Sequence, residues 1–408
     1  MTNVLQINVN DFDYSLPEER IAKYPLNLRD SSKLIIMNGK SISENVFNKI
    51  GDYLPQNSLI VFNNSKVIKA RLLFFKETGS QIEIFCLEPM NPADYSHSLL
   101  SKKSCSWKCL VGNNKKWKSG KISKTIQIKE NATTISATRI NNLGNAYEIL
   151  FVWDNTNISF SEILQEFGKT PIPPYLNRQS EDIDITRYQT VYGTNEGSVA
   201  APTAGFHFTD EVFSLLSQKN IHSDYITLHV GAGTFQPIKT DNIFSHEMHT
   251  EHFFVTKENI RNIIKHYGNI TVVGTTTVRT LESLFVIACK IFLYENKKKN
   301  PFFVEQWETY KDEYIRLRNN AVDVMSNLLQ WMDINNLEHL ECSTQTMIIP
   351  GYKFVFTNRL ITNFHQPKST LLLLLAAFTG EKWKDAYNYA LRNNFRFLSY
   401  GDSCLFLE

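Results

Sequence analysis

The stretch that decides the fold is Tyr225-Ile226-Thr227-Leu228-His229-Val230-Gly231-Ala232-Gly233-Thr234-Phe235. Its first six residues form an apolar run that predicts a β-strand, and the two glycines then open a loop. Because glycine has no side chain, a ligand can lie there against backbone N–H groups, which donate to anionic or carbonyl oxygens. The segment Ser245-His246-Glu247-Met248-His249-Thr250-Glu251-His252 follows and concentrates histidines and glutamates. The two segments together predict an enzyme site that holds a polar ligand and moves protons.

Around this stretch, helical and strand patterns alternate from residue 209 onward. Helices are predicted at 210–219 and 258–267, strands at 225–230, 270–273 and 360–363, and a further helix directly after Gly274. Ser369 is predicted to cap a leucine-rich helix that Gly380 ends. Such alternation predicts an α/β sheet whose ligands bind beyond the carboxyl ends of the strands.

Residues 61–155 have a different pattern, with short alternating runs separated by Gly, Asn and Lys turns. That spacing is typical of a small all-β barrel or sandwich. We therefore expect an α/β catalytic domain formed by 1–60 and 156–408, an inserted barrel-like β domain at 61–155, and an extra helical insertion at 286–345.

The overall composition is that of an ordinary globular protein, with 408 residues, 42% hydrophobic residues and a net charge of +2. Acidic residues near the N-terminus argue against a signal peptide, and the longest apolar run, 371–378, is too short to span a membrane. Six cysteines in a chain of this size do not form a disulfide framework. We expect a cytoplasmic monomer without a membrane partner.

One segment is strongly basic: residues 101–130 contain nine lysines and a single acid, with Trp107 and Trp117 interleaved. Lysines attract phosphate backbones, and aromatic rings stack on unpaired bases. The segment therefore predicts a nucleic-acid contact, with the solvated face of a lysine-rich sheet as the alternative.

The histidines at 246, 249 and 252 invite a metal interpretation. Their spacing differs from the His-Glu-x-x-His arrangement of helical zinc proteases, and no cysteine or aspartate follows at ligand spacing. We expect no metal, and we assign proton transfer to His249 or Glu251, because histidine titrates near neutrality and a buried glutamate can be tuned there.

Three further segments have both a binding and a structural interpretation. The small-residue loop 197–208 can admit adenine to the backbone or can be a tight turn with a structural histidine. Thr275, Thr276 and Arg279 suit a carboxylate or phosphate at a helix N-terminus, or they cap the helix and pair with Glu282. Residues 363–367 contact substrate or cap the next helix.

The same segments belong to motifs distributed along almost the whole chain. These are Phe62-Asn63-Asn64-Ser65-Lys66-Val67-Ile68-x-Ala70-Arg71, Tyr188-Gln189-Thr190-Val191-Tyr192, Ala200-Ala201-Pro202-Thr203-Ala204-Gly205-x-His207-Phe208, His246-x-Met248-His249-x-Glu251, Val278-Arg279-x-Leu281-Glu282-Ser283, Thr362-Asn363-Phe364-His365 and Phe397-x-Ser399-Tyr400-Gly401-Asp402. In this order they resemble the S-adenosylmethionine:tRNA ribosyltransferase-isomerase family of queuosine biosynthesis.

The resemblance implies an α/β domain with an inserted β-barrel and a transfer with S-adenosylmethionine as co-substrate. The ribosyl group goes to 7-aminomethyl-7-deazaguanine at the tRNA wobble position, giving epoxyqueuosine-tRNA, adenine and methionine. The site residues then fall into groups: catalytic His249, Glu251 and His229; Gly231, Gly233, Thr203, Gly205 and His207 for adenosine; Thr275, Thr276 and Arg279 for the methionine carboxylate; Thr234, Phe235, Asn363 and His365 for substrate; and Lys108, Lys115, Lys116, Trp117 and Lys118 for tRNA.

Some features depart from the family pattern: His252, the length of 286–345, and the 105–117 stretch. Two alternatives therefore stay open, a paralogue that uses S-adenosylmethionine on another acceptor and a non-catalytic RNA-binding protein. The intact His249, Glu251 and Arg279 argue against the second alternative. Whether turnover requires the lysine segment distinguishes the family activity from the paralogue that uses another acceptor.

Overall fold

The computed structural model describes residues 7–128, 130–235, 238, 240, 242–294 and 300–407. The strands in these ranges are β1 Lys33–Asn38, β2 Ser41–Val46, β3 Leu59–Asn63, β4 Ser65–Val67, β5 Arg71–Phe75, β6 Gln81–Asn91, β7 Ser104–Gly112, β8 Lys121–Ile128, β9 Asn131–Asn142, β10 Tyr147–Trp153, β11 Asn195–Ser198, β12 His222–His229, β13 Glu251–Thr256, β14 Ile270–Val273, β15 Phe303–Val304, β16 His339–Thr344, β17 Arg359–Asn363 and β18 Ser403–Leu407. The α-helices are α1 Tyr95–Leu99, α2 Phe160–Phe167, α3 Asp182–Arg187, α4 Asp210–Gln218, α5 Lys257–Lys265, α6 Thr275–Tyr294, α7 Asp312–Leu317, α8 Ala321–Ile334, α9 Thr370–Thr379 and α10 Lys382–Arg392.

The larger sheet has ten strands in the order β15-β16-β13-β12-β3-β14-β17-β18-β1-β2. Its central strands β12, β3, β14 and β17 are parallel, so their carboxyl ends share one edge. Antiparallel pairs, including β12 with β13 and β17 with β18, flank this centre. The helix α6 is buried along most of its length against the sheet, and the predicted α/β class is confirmed.

The smaller sheet has six strands in the order β5-β6-β7-β10-β9-β8, all antiparallel. Its edge strands β5 and β8 contact each other, so the sheet nearly closes. Trp107, Phe151 and Phe160 are buried in its core, and α2 packs on it. The all-β, barrel-like architecture of this region is confirmed.

The domain limits themselves stay predictions. Residue 61 lies inside β3, at the centre of the larger sheet, and the six-stranded sheet begins only at Arg71. Within 286–345 the helices α7 and α8 are accompanied by β15 and β16, which extend the larger sheet. Val324 and Leu328 of α8 belong to the main hydrophobic core.

Three of the parallel strands bring the predicted ligand segments to one edge of the sheet. β12 leads into the glycine loop at Gly231, β14 into α6 through Gly274, and β17 ends at Asn363. Gly274 has φ +87°, a left-handed conformation that favours glycine and turns the strand sharply into the helix. No helix in the described part of the chain combines the length and apolarity needed to cross a membrane.

Candidate functional site

A cleft of about 690 Å³ lies at the carboxyl ends of β12, β14 and β17. Six of the predicted ligand residues line it: Thr203, Thr234, Thr275, Thr276, Asn363 and His365. They come from four separate segments, so the fold brings together what the sequence leaves far apart.

Two helices begin at this cleft. Residues of the first turn of α6 line it, and so does Ser369, whose side chain caps α9 by accepting from Leu372 N. Helix N-termini favour negative charge, because their first N–H groups lack intrahelical partners. The cleft wall therefore suits an anionic group such as a carboxylate.

One buried polar atom at the cleft, Thr276 Oγ1, has no hydrogen-bond partner among the described residues. The Asn363 side chain is held from both ends, since its amide nitrogen donates to Leu398 O at 3.0 Å and its side chain also interacts with His207. Buried polar groups are normally satisfied, so an unpaired atom at a cleft is a candidate for a ligand contact.

His249 packs against the glycine loop beside the cleft. A Cβ placed on Gly233 would lie 2.3 Å from His249 Nδ1, and one on Gly231 would lie 2.8 Å from Cδ2. Val230 and Thr234, on either side of the two glycines, line the cleft. Because Gly231 and Gly233 have no side chains, the imidazole of His249 can lie against the backbone of the loop at the edge of the cleft.

Glu251 connects His249 to Arg279. His249 Nε2 lies 3.1 Å from Glu251 Oε1, which also accepts from Gly231 N at 3.3 Å. Arg279 Nη1 donates to Glu251 Oε2, and its Nε donates to Thr346 O at 3.0 Å. Burial raises the pKa of Glu251, but Arg279 and His249 outweigh that effect and bring it from 4.5 down to about 2. The carboxylate is therefore ionised at neutral pH and can accept a hydrogen bond from Nε2–H of His249.

This arrangement bears on two of the predicted roles. A carboxylate with a pKa of about 2 holds no proton near neutrality, so Glu251 is suited to orienting His249 rather than to carrying a proton. Arg279 is buried and pairs with Glu251 through Nη1, its Nη2 has no hydrogen-bond partner among the described residues, and it does not line the cleft. Its guanidinium positions Glu251, whereas the helix N-terminus at Thr275 and Thr276 faces the cleft.

Three predicted site histidines outside this cluster, His229, His207 and His365, are buried, and burial lowers the pKa of each, so they are neutral. His229 stacks on Tyr95 at 4.3 Å between ring centroids, with a pKa of about 4, and does not line the cleft. His207 lies with Nδ1 2.7 Å from Ser32 Oγ and has a pKa of about 3. His365 lines the cleft, contacts Thr362 Oγ1 at 3.0 Å through Nε2, and has a pKa of about 3.

Two more predicted binding residues have other surroundings. A Cβ on Gly205 would lie 1.9 Å from the hydroxyl of Tyr192, so this glycine is required by packing. Phe235 ends a 3₁₀ turn beside the cleft, and its side chain lies outside the described residues.

The cleft residues that sequence reasoning did not assign to the site include Tyr175, Leu398 and Ser399. The hydroxyls of Tyr175 and Ser399 lie 2.5 Å apart and join the proline-rich 170–175 segment to the C-terminal motif. The 397–402 motif contains Ser399 and could have indicated it as a site residue. The position of Ser399 beside β17, however, depends on tertiary contacts.

The lysine segment lies on the six-stranded sheet. Lys115, Lys116 and Lys118 are exposed, and Lys115 and Lys118 line an open groove of about 820 Å³ together with Arg139. Lys108 instead donates to Glu88 at 2.5 Å. The exposed lysines thus form a positively charged surface.

Trp117 does not belong to that surface. Its ring is buried, Nε1 donates to Gly120 O at 3.0 Å, and the Arg139 guanidinium lies 4.6 Å from the ring centroid. The ring packs in the barrel core, so the stacking of a base on Trp117 stays a prediction that would require the ring to become accessible.

The described residues contain no group of three His, Cys, Asp or Glu side chains arranged to hold a metal ion. A reaction without a metal stays a prediction.

Comparison with known proteins identifies the family. A family model described as queuosine biosynthesis protein matches residues 9–406. The S-adenosylmethionine:tRNA ribosyltransferase-isomerase of Trichlorobacter lovleyi is 35% identical over 406 residues, which cover 97% of this chain and 99% of that protein. A crystal structure of an S-adenosylmethionine tRNA ribosyltransferase from Thermotoga maritima is 27% identical, with 97% and 100% of the two chains covered and a TM-score of 0.45. The chain therefore belongs to the enzyme family of queuosine biosynthesis proteins that includes the Trichlorobacter lovleyi ribosyltransferase-isomerase.

Proposed function

We propose that this protein transfers and isomerises the ribosyl group of S-adenosylmethionine onto 7-aminomethyl-7-deazaguanine at the wobble position of tRNA. The products are epoxyqueuosine-tRNA, adenine and methionine. The observation that carries the proposal is the cleft at the start of α6, with an unsatisfied polar atom in its wall and the His249–Glu251–Arg279 cluster at its side.

In this proposal the start of α6 binds the methionine carboxylate. Thr275 and Thr276 belong to its first turn and line the cleft, where the helix dipole favours a negative group. The free Oγ1 of Thr276 can donate to a carboxylate oxygen, and the second lone pair of Asn363 Oδ1 can accept from an ammonium or an amino group.

His249 is the proton acceptor. Glu251 accepts from Nε2, which leaves Nδ1 with the lone pair. The ribose carbon next to a sulfonium is acidified, so a positioned imidazole can remove its proton and start the rearrangement. The ionised Glu251 then stabilises the imidazolium, as the carboxylate does in a Ser-His-Asp triad. Glu251 and Arg279 are positioning residues.

The partner in this proposal is tRNA, and the exposed lysines of the six-stranded sheet supply charge for its backbone. An anticodon loop offers unpaired bases, so little duplex has to open for the target base to enter the cleft. Replacing Lys115 and Lys118 with glutamine is expected to weaken tRNA binding and to reduce its salt dependence, without changing S-adenosylmethionine affinity.

The test is to incubate the protein with S-adenosylmethionine and tRNA carrying the aminomethyl-deazaguanine, and to follow adenine by chromatography. Adenine release with this tRNA, together with a mass gain on its nucleoside, is the expected result. The same tRNA with an unmodified guanine is the control. Adenine release that does not depend on the modified base would contradict the assignment of the acceptor.

A pair of variants tests the role of His249. His249→Gln is expected to lower the rate of adenine release by about a hundredfold or more, because general base catalysis contributes on this scale. His246→Gln is the matched control, since it makes the same change three residues away. Equal rates of adenine release for the two variants would show that His249 has no catalytic role.

A further inference from the structure

A second cavity, of about 290 Å³, lies behind the turn formed by residues 398–401. Its wall contains three arginines, Arg29, Arg187 and Arg396, beside His207, and we name it the arginine pocket. Ser399 lines both this pocket and the cleft, so a single turn of chain separates them.

The pocket carries an excess of positive charge. None of the described residues that line it is acidic. The Asp402 carboxylate lies 3.7 Å from Arg396 Nη2, and its oxygens already accept from the backbone N–H groups of Lys33 and Arg396. Burial lowers the pKa of Arg29, and the nearby charge of Arg187 lowers it further. Among the described residues, only Arg396 of the three arginines forms an ion pair with a carboxylate, that of Asp402.

The pocket wall also has a donor without an acceptor. Arg187 Nε is buried and has no hydrogen-bond partner among the described residues. The side chain of the buried His207 instead interacts with the Ser32 hydroxyl and with the Asn363 side chain. A buried donor such as Arg187 Nε requires an acceptor, and the oxygens of an anion would supply it.

We propose that the arginine pocket binds a phosphate group, and that this phosphate belongs to the backbone of the tRNA. The inference rests on the proposed function. Guanidinium forks match phosphate oxygens in geometry and charge, and phosphate contacts fix the register of a nucleic acid on a protein. A phosphate held behind Ser399 would fix the nucleotide whose base enters the adjacent cleft.

The three arginines differ in how far they also hold the fold. Arg29 donates to Gln189 O at 2.7 Å and to Thr186 O at 2.8 Å, and Arg187 donates to Leu26 O at 2.6 Å. Variants of these two residues would disturb the chain around the pocket. Arg396 is held loosely, since Nη1 lies 3.4 Å from Tyr24 O, and it is therefore the residue to change.

The experiment compares Arg396→Gln and Arg396→Lys with Arg261→Gln, which removes the same charge from the exposed face of α5. Binding of the tRNA is measured by fluorescence anisotropy at several KCl concentrations, without turnover. Orthophosphate is titrated in a thermal-shift assay, and S-adenosylmethionine affinity, measured by calorimetry, reports an intact cleft.

Arg396→Gln is expected to weaken tRNA binding about tenfold and to reduce the salt slope by about one, as for the loss of one phosphate contact. It is also expected to abolish stabilisation by orthophosphate and to raise the KM for tRNA at an unchanged kcat. Arg396→Lys recovers part of the affinity, and Arg261→Gln resembles the unaltered protein.

Two outcomes overturn the inference. Equal weakening by Arg396→Gln and Arg261→Gln would mean that only overall charge matters. Loss of orthophosphate binding at unchanged tRNA affinity would assign the pocket to a free anion instead of the tRNA backbone. Because unaltered protein is assayed separately for adenine release, failure of the proposed function is distinguished from failure of the pocket.

Discussion

The buried pair of Glu251 and Arg279 gives the sharpest prediction. Glu251→Gln keeps the shape of the side chain and removes its charge, so the Arg279 guanidinium is left buried without its counter-ion. The variant also loses the carboxylate that orients His249. We expect Glu251→Gln to lower both the stability of the fold and the rate of adenine release.

The size of the effect follows from the pKa of Glu251, which is about 2 instead of 4.5. That difference corresponds to roughly 3 kcal/mol in favour of the ionised form. Removal of one partner from a buried ion pair costs about 3–5 kcal/mol, which agrees in scale. The rate of adenine release is expected to fall by about 10²- to 10⁴-fold, the range for a carboxylate that orients a catalytic histidine.

The sign of the pH dependence also follows. Since the folded pKa lies below the unfolded one, the carboxylate contributes stability that is fully present above pH 4.5 and is lost as the pH falls through about 2. Glutamine does not titrate, so the stability of the variant should fall less steeply with pH below 4.5 than that of the unaltered protein.

The assay is urea unfolding followed by tryptophan fluorescence between pH 7 and pH 3, with Glu247→Gln as the matched control on an exposed neighbour. Arg279→Met and the double variant complete a cycle, in which the double variant should lose less than the sum of the single losses. Glu251→Gln unfolding at the same urea concentration and with the same pH profile as Glu247→Gln would refute the ion-pair reasoning.

Three further variants and one control test the glycine loop, the cleft wall and the barrel core. Gly233→Ala places a methyl group 2.3 Å from His249 Nδ1, and we expect adenine release to slow while the protein still binds S-adenosylmethionine in calorimetry. Thr276→Val should weaken S-adenosylmethionine binding by about ten- to a hundredfold, since a hydrogen bond to a charged group is worth about 1.5–3 kcal/mol. Thr271→Val removes an equally unpaired hydroxyl outside the cleft and should not change that affinity. Trp117→Phe should lower the melting temperature without changing tRNA affinity in anisotropy, and weaker tRNA binding at unchanged stability would support the stacking interpretation.

Much of the architecture could be predicted, because its signals are local. The strand at β14, the turn at Gly274 and the start of α6 follow from apolar periodicity and from the conformational freedom of one glycine. The cap of α9 follows from Ser369 in the same way. The domain limit at residue 61 stays a prediction, and the chain passes from β3 of the larger sheet to β5 of the smaller one over a short segment.

The sequence by itself determined which residue types are available at the ends of the parallel strands, since each strand, turn and helix is encoded by neighbours in the chain. The tertiary structure decided their roles. Arg279 forms an ion pair with Glu251, Trp117 packs in the barrel core, and Ser399 lines the cleft. A pKa or an unsatisfied hydrogen bond depends on burial and on partners distant in sequence, and these exist only once the two sheets have packed.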